Sequence, residues 1–250
     1  MTRDEIVRLY DREYASTYEE KFLLSPLTKP DAEFETSLLR GFLTPGVTWL
    51  DVACGTGYFL RQFPEVERAG IDLSPAMLEH ARATNPGVAL SEHDFREPIP
   101  DWQDRWGLVS CMWYAYSLVD TVRDLIRLIE NLASWTAPDG TCFVPLGDPG
   151  LITGVDLPYR ANSPFEAASS PGKVVITGIL WSYVENGGQK THSQMIAPNL
   201  EFMVEQFETF FESVSIIRYP PTVRDGKGRP ALLARRKRAS PAPPPEPKRE

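Results

Sequence analysis

Leu50-Asp51-Val52-Ala53-Cys54-Gly55-Thr56-Gly57 is the stretch that decides the fold. The run from Val47 to Val52 is apolar apart from Thr48 and Asp51, which reads as a buried strand. It ends in a glycine-rich turn, and a helical pattern is expected from Tyr58. A strand feeding such a turn and then a helix sets backbone N–H groups and a helix N-terminus beside a ligand. Only glycine lets the backbone come that close. A nucleoside-binding unit also needs an acidic residue about 20 residues further on, to accept hydrogen bonds from a ribose diol. Asp72, in Ala69-Gly70-Ile71-Asp72-Leu73-Ser74, meets that need, and Ser74-Pro75 supplies an N-cap and first position for a helix over 76–82. A short strand at 88–90 then leads to Glu92-His93-Asp94-Phe95, and a fourth strand is expected from Leu108 to Trp113. Ala137-Pro138-Asp139-Gly140 reads as the turn into a fifth strand over 141–146.

A dinucleotide site would carry a third glycine three residues after the second, and position 60 is Leu. The pattern instead resembles motif I of the class I S-adenosylmethionine (SAM)-dependent methyltransferases, with the following features in that family's order. The resemblance implies an α/β fold: a Rossmann-like seven-stranded class I methyltransferase sheet with an N-terminal helical lid and an inserted antiparallel hairpin. The placement of that insertion is similar to the aminosugar N-methyltransferases, in which it roofs the acceptor pocket. SAM is the implied cofactor. Asp94 would accept from the adenine amino group with Phe95 along the ring, as in the family. Asp72 would take the ribose hydroxyls, with Leu73 and Met77 covering the adenine faces. The backbone of Ala53, Cys54, Gly55 and Gly57 and the positive end of the next helix suit the methionine carboxylate, and Asp51 would attract the ammonium. Cys111, Met112 and Trp113 would border the ribose and sulfonium.

Methyl transfer from a sulfonium relies on alignment, so a general base is optional. Candidates for that role are His192, Tyr14 and Tyr116, with Tyr18, Tyr114, Trp181 and Tyr183 as substrate contacts. Ile6, Tyr10, Tyr14, Tyr18 and Phe22 recur every four residues, the stripe of an amphipathic helix over 1–24. The tyrosines loosely resemble the lid of small-molecule methyltransferases. A two-residue turn at Asn186-Gly187 would set His192 opposite Trp181, a three-residue turn opposite Ser182. Two family features are missing: the His that often follows strand four, and an Asn-Pro-Pro-Tyr-like element. The second absence removes the usual signature of methylation at a nucleobase or glutamine amide.

The organisation expected is one domain over 1–238, with a lid at 1–30, a substrate roof at about 149–197 and a disordered Pro-rich tail at 239–250. The loop 149–172 precedes the hairpin strands at 174–184 and 190–196, a helix at 199–211 follows, and strands at 213–219 and 229–234 complete the sheet. A net charge of −8 argues against nucleic acid as the main partner, and the run Arg235-Arg236-Lys237-Arg238 reads as a solvated terminus. No stretch of about 18 apolar residues marks a membrane span. Three cysteines without metal-ligand spacing suggest reduced, buried thiols and a cytoplasmic protein. The function expected is methylation of a small-molecule acceptor at N or O, an amine or an apolar or aromatic natural-product intermediate. A protein or RNA methyltransferase and a SAM-fold protein without methyl transfer stay open. Acceptor identity and oligomeric state are not encoded in a readable way.

Overall fold

A computed structural model describes residues 1–150, 178–184, 191–221 and 227–239. The expected loop at 149–172 and the Pro-rich tail fall almost entirely outside these residues, as does the hairpin turn at 186–188. The lid is two helices rather than one, α1 (Arg3–Leu9) and α2 (Arg12–Phe22). Asp11 breaks the stripe because its carboxylate caps α2, accepting from the Tyr14 N–H at 2.9 Å. Helix α3 (Lys29–Phe42) then leads to β1 (Trp49–Val52).

The helix expected from Tyr58 does not form. Residues 60–62 make a single 3-10 turn before β2 (Arg68–Asp72). Gly57 is left-handed (φ 72°) and Pro64 follows closely, so too few residues lie between them to propagate an α-helix. The chain continues as α4 (Pro75–Thr84), β3 (Ala89–Glu92), β4 (Trp106–Cys111), α5 (Val122–Trp135) and β5 (Thr136–Pro145). The Ala137–Gly140 turn is absorbed into β5 as an irregularity in its pairing with β4. After the undescribed segment come β6 (Gly178–Val184), β7 (Thr191–Pro198), α6 (Leu200–Glu208), β8 (Phe211–Arg218) and β9 (Pro230–Lys237).

Seven strands form one sheet in the order β3-β2-β1-β4-β5-β9-β8, and β6 pairs with β7 separately. Strands β1 to β5 run parallel, and β9 is antiparallel to both neighbours. Because side chains alternate along a strand, Leu50 and Val52 pack with α5 and α6 on one face, while Trp49 packs with α3 on the other. Parallel strands covered on both faces explain why β1 is buried throughout. The basic run belongs to β9 rather than to a solvated tail. Lys237 reaches Asp104 and the Ser134 and Thr136 carbonyls, and Arg236 lies 3.8 Å from Glu212.

Candidate active site

The C-terminal ends of β1, β2 and β4 open into a cleft of about 860 Å³, part of it open to solvent, covered by the lid helices. Open parallel sheets bind ligands at this edge, where the order reverses between β1 and β4. The glycine turn forms its floor. Gly55 has φ 55° and open space where a side chain would stand, so the backbone itself faces the ligand. Gly57 is placed differently: a Cβ there would collide with Asn85, so this residue lets α4 pack closely and does not line the cleft.

Asp72 ends β2 with each oxygen already oriented. Oδ2 accepts from the Gly55 N–H and Oδ1 from the Ser74 N–H, both at 2.8 Å. Burial raises its pKa while those N–H groups lower it. A carboxylate has about four lone-pair sites, so further donors can be accepted. Asp51 sits at the centre, 1% exposed, at the end of a relay from the Trp49 indole through Ser110 to its Oδ1, at 2.9 and 2.6 Å. Burial pushes the Asp51 carboxyl up to about 7, and the Ser110 hydroxyl opposes the rise. Asp94 is held by Arg96: Oδ1 accepts from its backbone N–H and Nε, and Oδ2 from Nη2 at 2.7 Å. That pairing keeps Asp94 below the usual carboxylate range against the effect of partial burial.

The lid is clamped onto this floor. Glu19 of α2 accepts from the Thr56 hydroxyl at 2.8 Å and from both terminal nitrogens of Arg61, at 2.6 and 2.5 Å. The Ser74 hydroxyl donates to the Tyr10 carbonyl at 2.6 Å. A glycine floor, a carboxylate at β2 for a diol, a central carboxylate for a cation and an apolar rim fit the parts of SAM.

Residues 50–140 match the family described as a methyltransferase domain. Over 202 residues the chain is 27% identical to dTDP-4-amino-2,3,4,6-tetradeoxy-D-glucose N,N-dimethyltransferase of Saccharopolyspora spinosa, covering 76% of this chain and 80% of that one. It is 31% identical over 125 residues to trans-aconitate 2-methyltransferase of Methylobacterium radiotolerans, covering 48% and 45%. The fold resembles that of the SAM-bound amino pentose methyltransferase CalS10 from Micromonospora echinaspora, with a TM-score of 0.53 at 19% identity over 82% of this chain and 90% of that one. Residues 50–140 are a methyltransferase domain. SAM is the domain's cofactor.

The methyltransferase cleft gathers Asp51, Ala53, Cys54, Gly55, Asp72, Leu73, Met77, Asp94, Phe95, Met112, Trp113 and Tyr18 from among the sequence-derived candidates. Cys111 is not there: its side chain alternates away from Ser110 into the core beneath α5. Burial also raises the Cys54 thiol well above its usual range. Tyr116 is 1% exposed, and its hydroxyl accepts from the Gly147 N–H at 2.7 Å. Burial raises its pKa, opposed by the Gly147 N–H, and the residue lies outside the cleft lining.

Tyr14 and His192 meet each other instead of the cleft, with the Tyr14 hydroxyl 3.0 Å from His192 Nε2. Tyr10, which lines the cleft, packs edge-on against both rings. His192 opposes Tyr183, not Trp181 or Ser182; beyond that pair the register shifts at Gln194 (φ 54°), which leaves Trp181 opposite Met195. Trp181 packs on α1 with Met195, outside the cleft, and the Tyr183 side chain lies outside the described residues. Tyr114 leaves the cleft by a backbone twist. It and Trp113 both have positive φ, 60° and 50°. Each such non-glycine residue costs about 1–3 kcal/mol.

Several cleft residues escaped the sequence reading: Ile6, Tyr10, Leu23, Thr56, Tyr58, Phe59, Arg96, Ala115 and Leu118. Ile6 and Tyr10 were on the lid stripe, which signalled packing without saying against what. Arg96, two residues after Asp94, could have been found by asking what pairs with a half-buried carboxylate.

Proposed function

We propose that this methyltransferase transfers the methyl of SAM to the amino group of a small deoxysugar, with the expected cofactor residues acting in the cleft as follows. Asp72 takes the ribose hydroxyls on its remaining lone pairs, and Asp51 holds the ammonium. Asp94 accepts the adenine amino group at Oδ2, while Arg96 fixes its orientation. Leu73, Met77 and Phe95 give the adenine apolar faces, and the Ala53–Thr56 backbone receives the carboxylate. No helix dipole contributes there, since the 3-10 turn is too short. Bound SAM supplies an activated methyl group whose departure leaves a neutral thioether.

The chain's task is then to align the acceptor and exclude water. The rim of Leu23, Tyr58, Phe59, Met112 and Trp113 does the excluding. Burial pushes the Tyr18 hydroxyl far above neutrality, so this cleft tyrosine stays protonated. The Tyr14–His192 pair does not border the cleft. An amine suits such a site, because once neutral it presents its lone pair with no base in contact.

The observation that carries this reading is the likeness to the amino-sugar dimethyltransferase over 202 residues, which extends well beyond the 50–140 segment. The test is transfer of labelled methyl from SAM to a 4-amino-4-deoxysugar nucleotide, beside its 4-hydroxy counterpart and trans-aconitate. Label is expected in the amino compound alone. Label in trans-aconitate or the hydroxyl sugar, with none in the amine, overturns the reading.

A further inference from the structure

We propose that Glu35 and Arg229 are positioning residues for methyl transfer, holding the Trp113–Tyr114 turn so that Trp113 forms the cleft wall beside Asp51. The backbone supplies the first observation. Two consecutive non-glycine residues are left-handed there, an arrangement that persists only where its surroundings over-determine it. The second observation is what surrounds them. The Arg229 guanidinium lies over the Tyr114 ring at 4.1 Å and the Trp113 ring at 5.0 Å. Its Nη1 donates to Glu35 Oε1 at 3.2 Å, with both side chains buried. Glu35 also accepts from the Tyr219 hydroxyl at 2.8 Å. The Trp113 indole N–H faces the same carboxylate closely enough to lower its pKa, short of a formed hydrogen bond. Helix α3 and the start of β9 thus grip one turn from two sides.

Stability alone does not account for this pair. A buried ion pair is often no better than packed apolar residues of the same volume. Here Arg229 Nε and Nη2, Glu35 Oε2 and Trp113 Nε1 are all buried without a hydrogen-bond partner. What the pair does achieve is the placement of two rings, and of these Trp113 lines the cleft while Tyr114 does not. The effect on the reaction therefore passes through Trp113. This inference rests on cofactor binding in the cleft and is independent of the acceptor.

The experiment pairs thermal melting with calorimetric titration by S-adenosylhomocysteine. Arg229→Met alone leaves Glu35 buried and unpaired, and is expected to melt far below the wild type. The double variant Glu35→Leu/Arg229→Met is expected to regain most of that loss, yet to bind S-adenosylhomocysteine at least tenfold more weakly than wild type. Trp113→Ala should weaken binding comparably in the wild type and add little in the double variant. Arg229→Lys keeps the charge for Glu35 but loses the planar stack on both rings. It should fold normally and still bind several-fold more weakly. Wild-type affinity in either the double variant or Arg229→Lys overturns the proposal and leaves a merely structural pair.

Discussion

The floor and the cover of the cleft are built from different kinds of contact. On the floor, two of the three carboxylates are fixed by groups near them in sequence, and Asp51 by Ser110, 59 residues on. Asp94 is held by Arg96 two residues on, and Asp72 by a turn 17 residues before it. The cover is assembled across the chain: Glu19 to Arg61 spans 42 residues and Tyr14 to His192 spans 178. Local contacts form with the turn itself and make a rigid receptor. Each long-range contact can be broken without unmaking the floor, and a lid that admits a ligand needs that freedom. Damage to the floor should therefore abolish binding, and damage to the cover should alter rates.

The largest effect is expected at Asp72. Replacing it with Ala removes the ribose acceptor and frees the Gly55 and Ser74 N–H groups together. Losing charge-assisted hydrogen bonds of this sort costs about 3 kcal/mol, or about 100-fold in S-adenosylhomocysteine affinity by calorimetry. An affinity within a few-fold of wild type would dissolve the distinction between floor and cover.

Asp51 predicts a pH dependence. Its folded pKa, about 7, lies above the ordinary carboxylate value. In the ligand-free protein its contribution to stability is full below that ordinary value and is lost as pH rises through 7. An ammonium beside it favours the ionised form, so binding below pH 7 releases a proton. Affinity should then fall by up to about tenfold per pH unit in that range. Calorimetry at about pH 6 in two buffers of different ionisation enthalpy reads that proton directly. Burial also raises Glu35 to about 7, and Asp51→Asn separates the two because it should flatten the profile. A slope that survives in Asp51→Asn assigns the proton elsewhere.

Glu19 is the cover's contact with the floor. Its pair with Arg61 is partly exposed and worth about 1 kcal/mol at most. Glu19→Gln should leave equilibrium affinity nearly intact and raise the dissociation rate of S-adenosylhomocysteine about fivefold by stopped flow. An unchanged rate would mean that α2 does not gate the cleft.

The same contrast explains what could be read from the sequence. The floor was legible because its signals are local: a glycine turn, an acid at the right distance, a Ser-Pro cap. The seven-stranded sheet was an expectation of the family resemblance that these local signals carry. The helix after Gly57 failed because apolar periodicity over a few residues cannot outweigh a left-handed glycine and a following proline. The cover was legible only as a list of suspects. Tyr14 and His192 were both on it, yet no spacing rule could show that they face each other rather than the ligand. Glu35 was missed because it stands among the apolar residues Phe34, Leu38 and Leu39 of α3. A Glu there, whose partner lies 194 residues away, leaves no local mark.

The smallest effect expected is the one that most sharpens the comparison. The Tyr14–His192 contact joins the lid to β7, and both residues are buried, at 1% and 4% exposure. If they served as a general base, Tyr14→Phe and His192→Gln would slow transfer by about 10²–10⁴-fold. The geometry argues otherwise, since neither borders the cleft, and Tyr10, which does, packs against both. Tyr14→Phe should lower stability by about 1 kcal/mol, the worth of one buried hydrogen bond, with single-turnover transfer within about twofold of wild type. The ring that fills the space is kept, so α2 stays in place. A hundredfold loss with intact S-adenosylhomocysteine binding would move the pair from the cover into the chemistry.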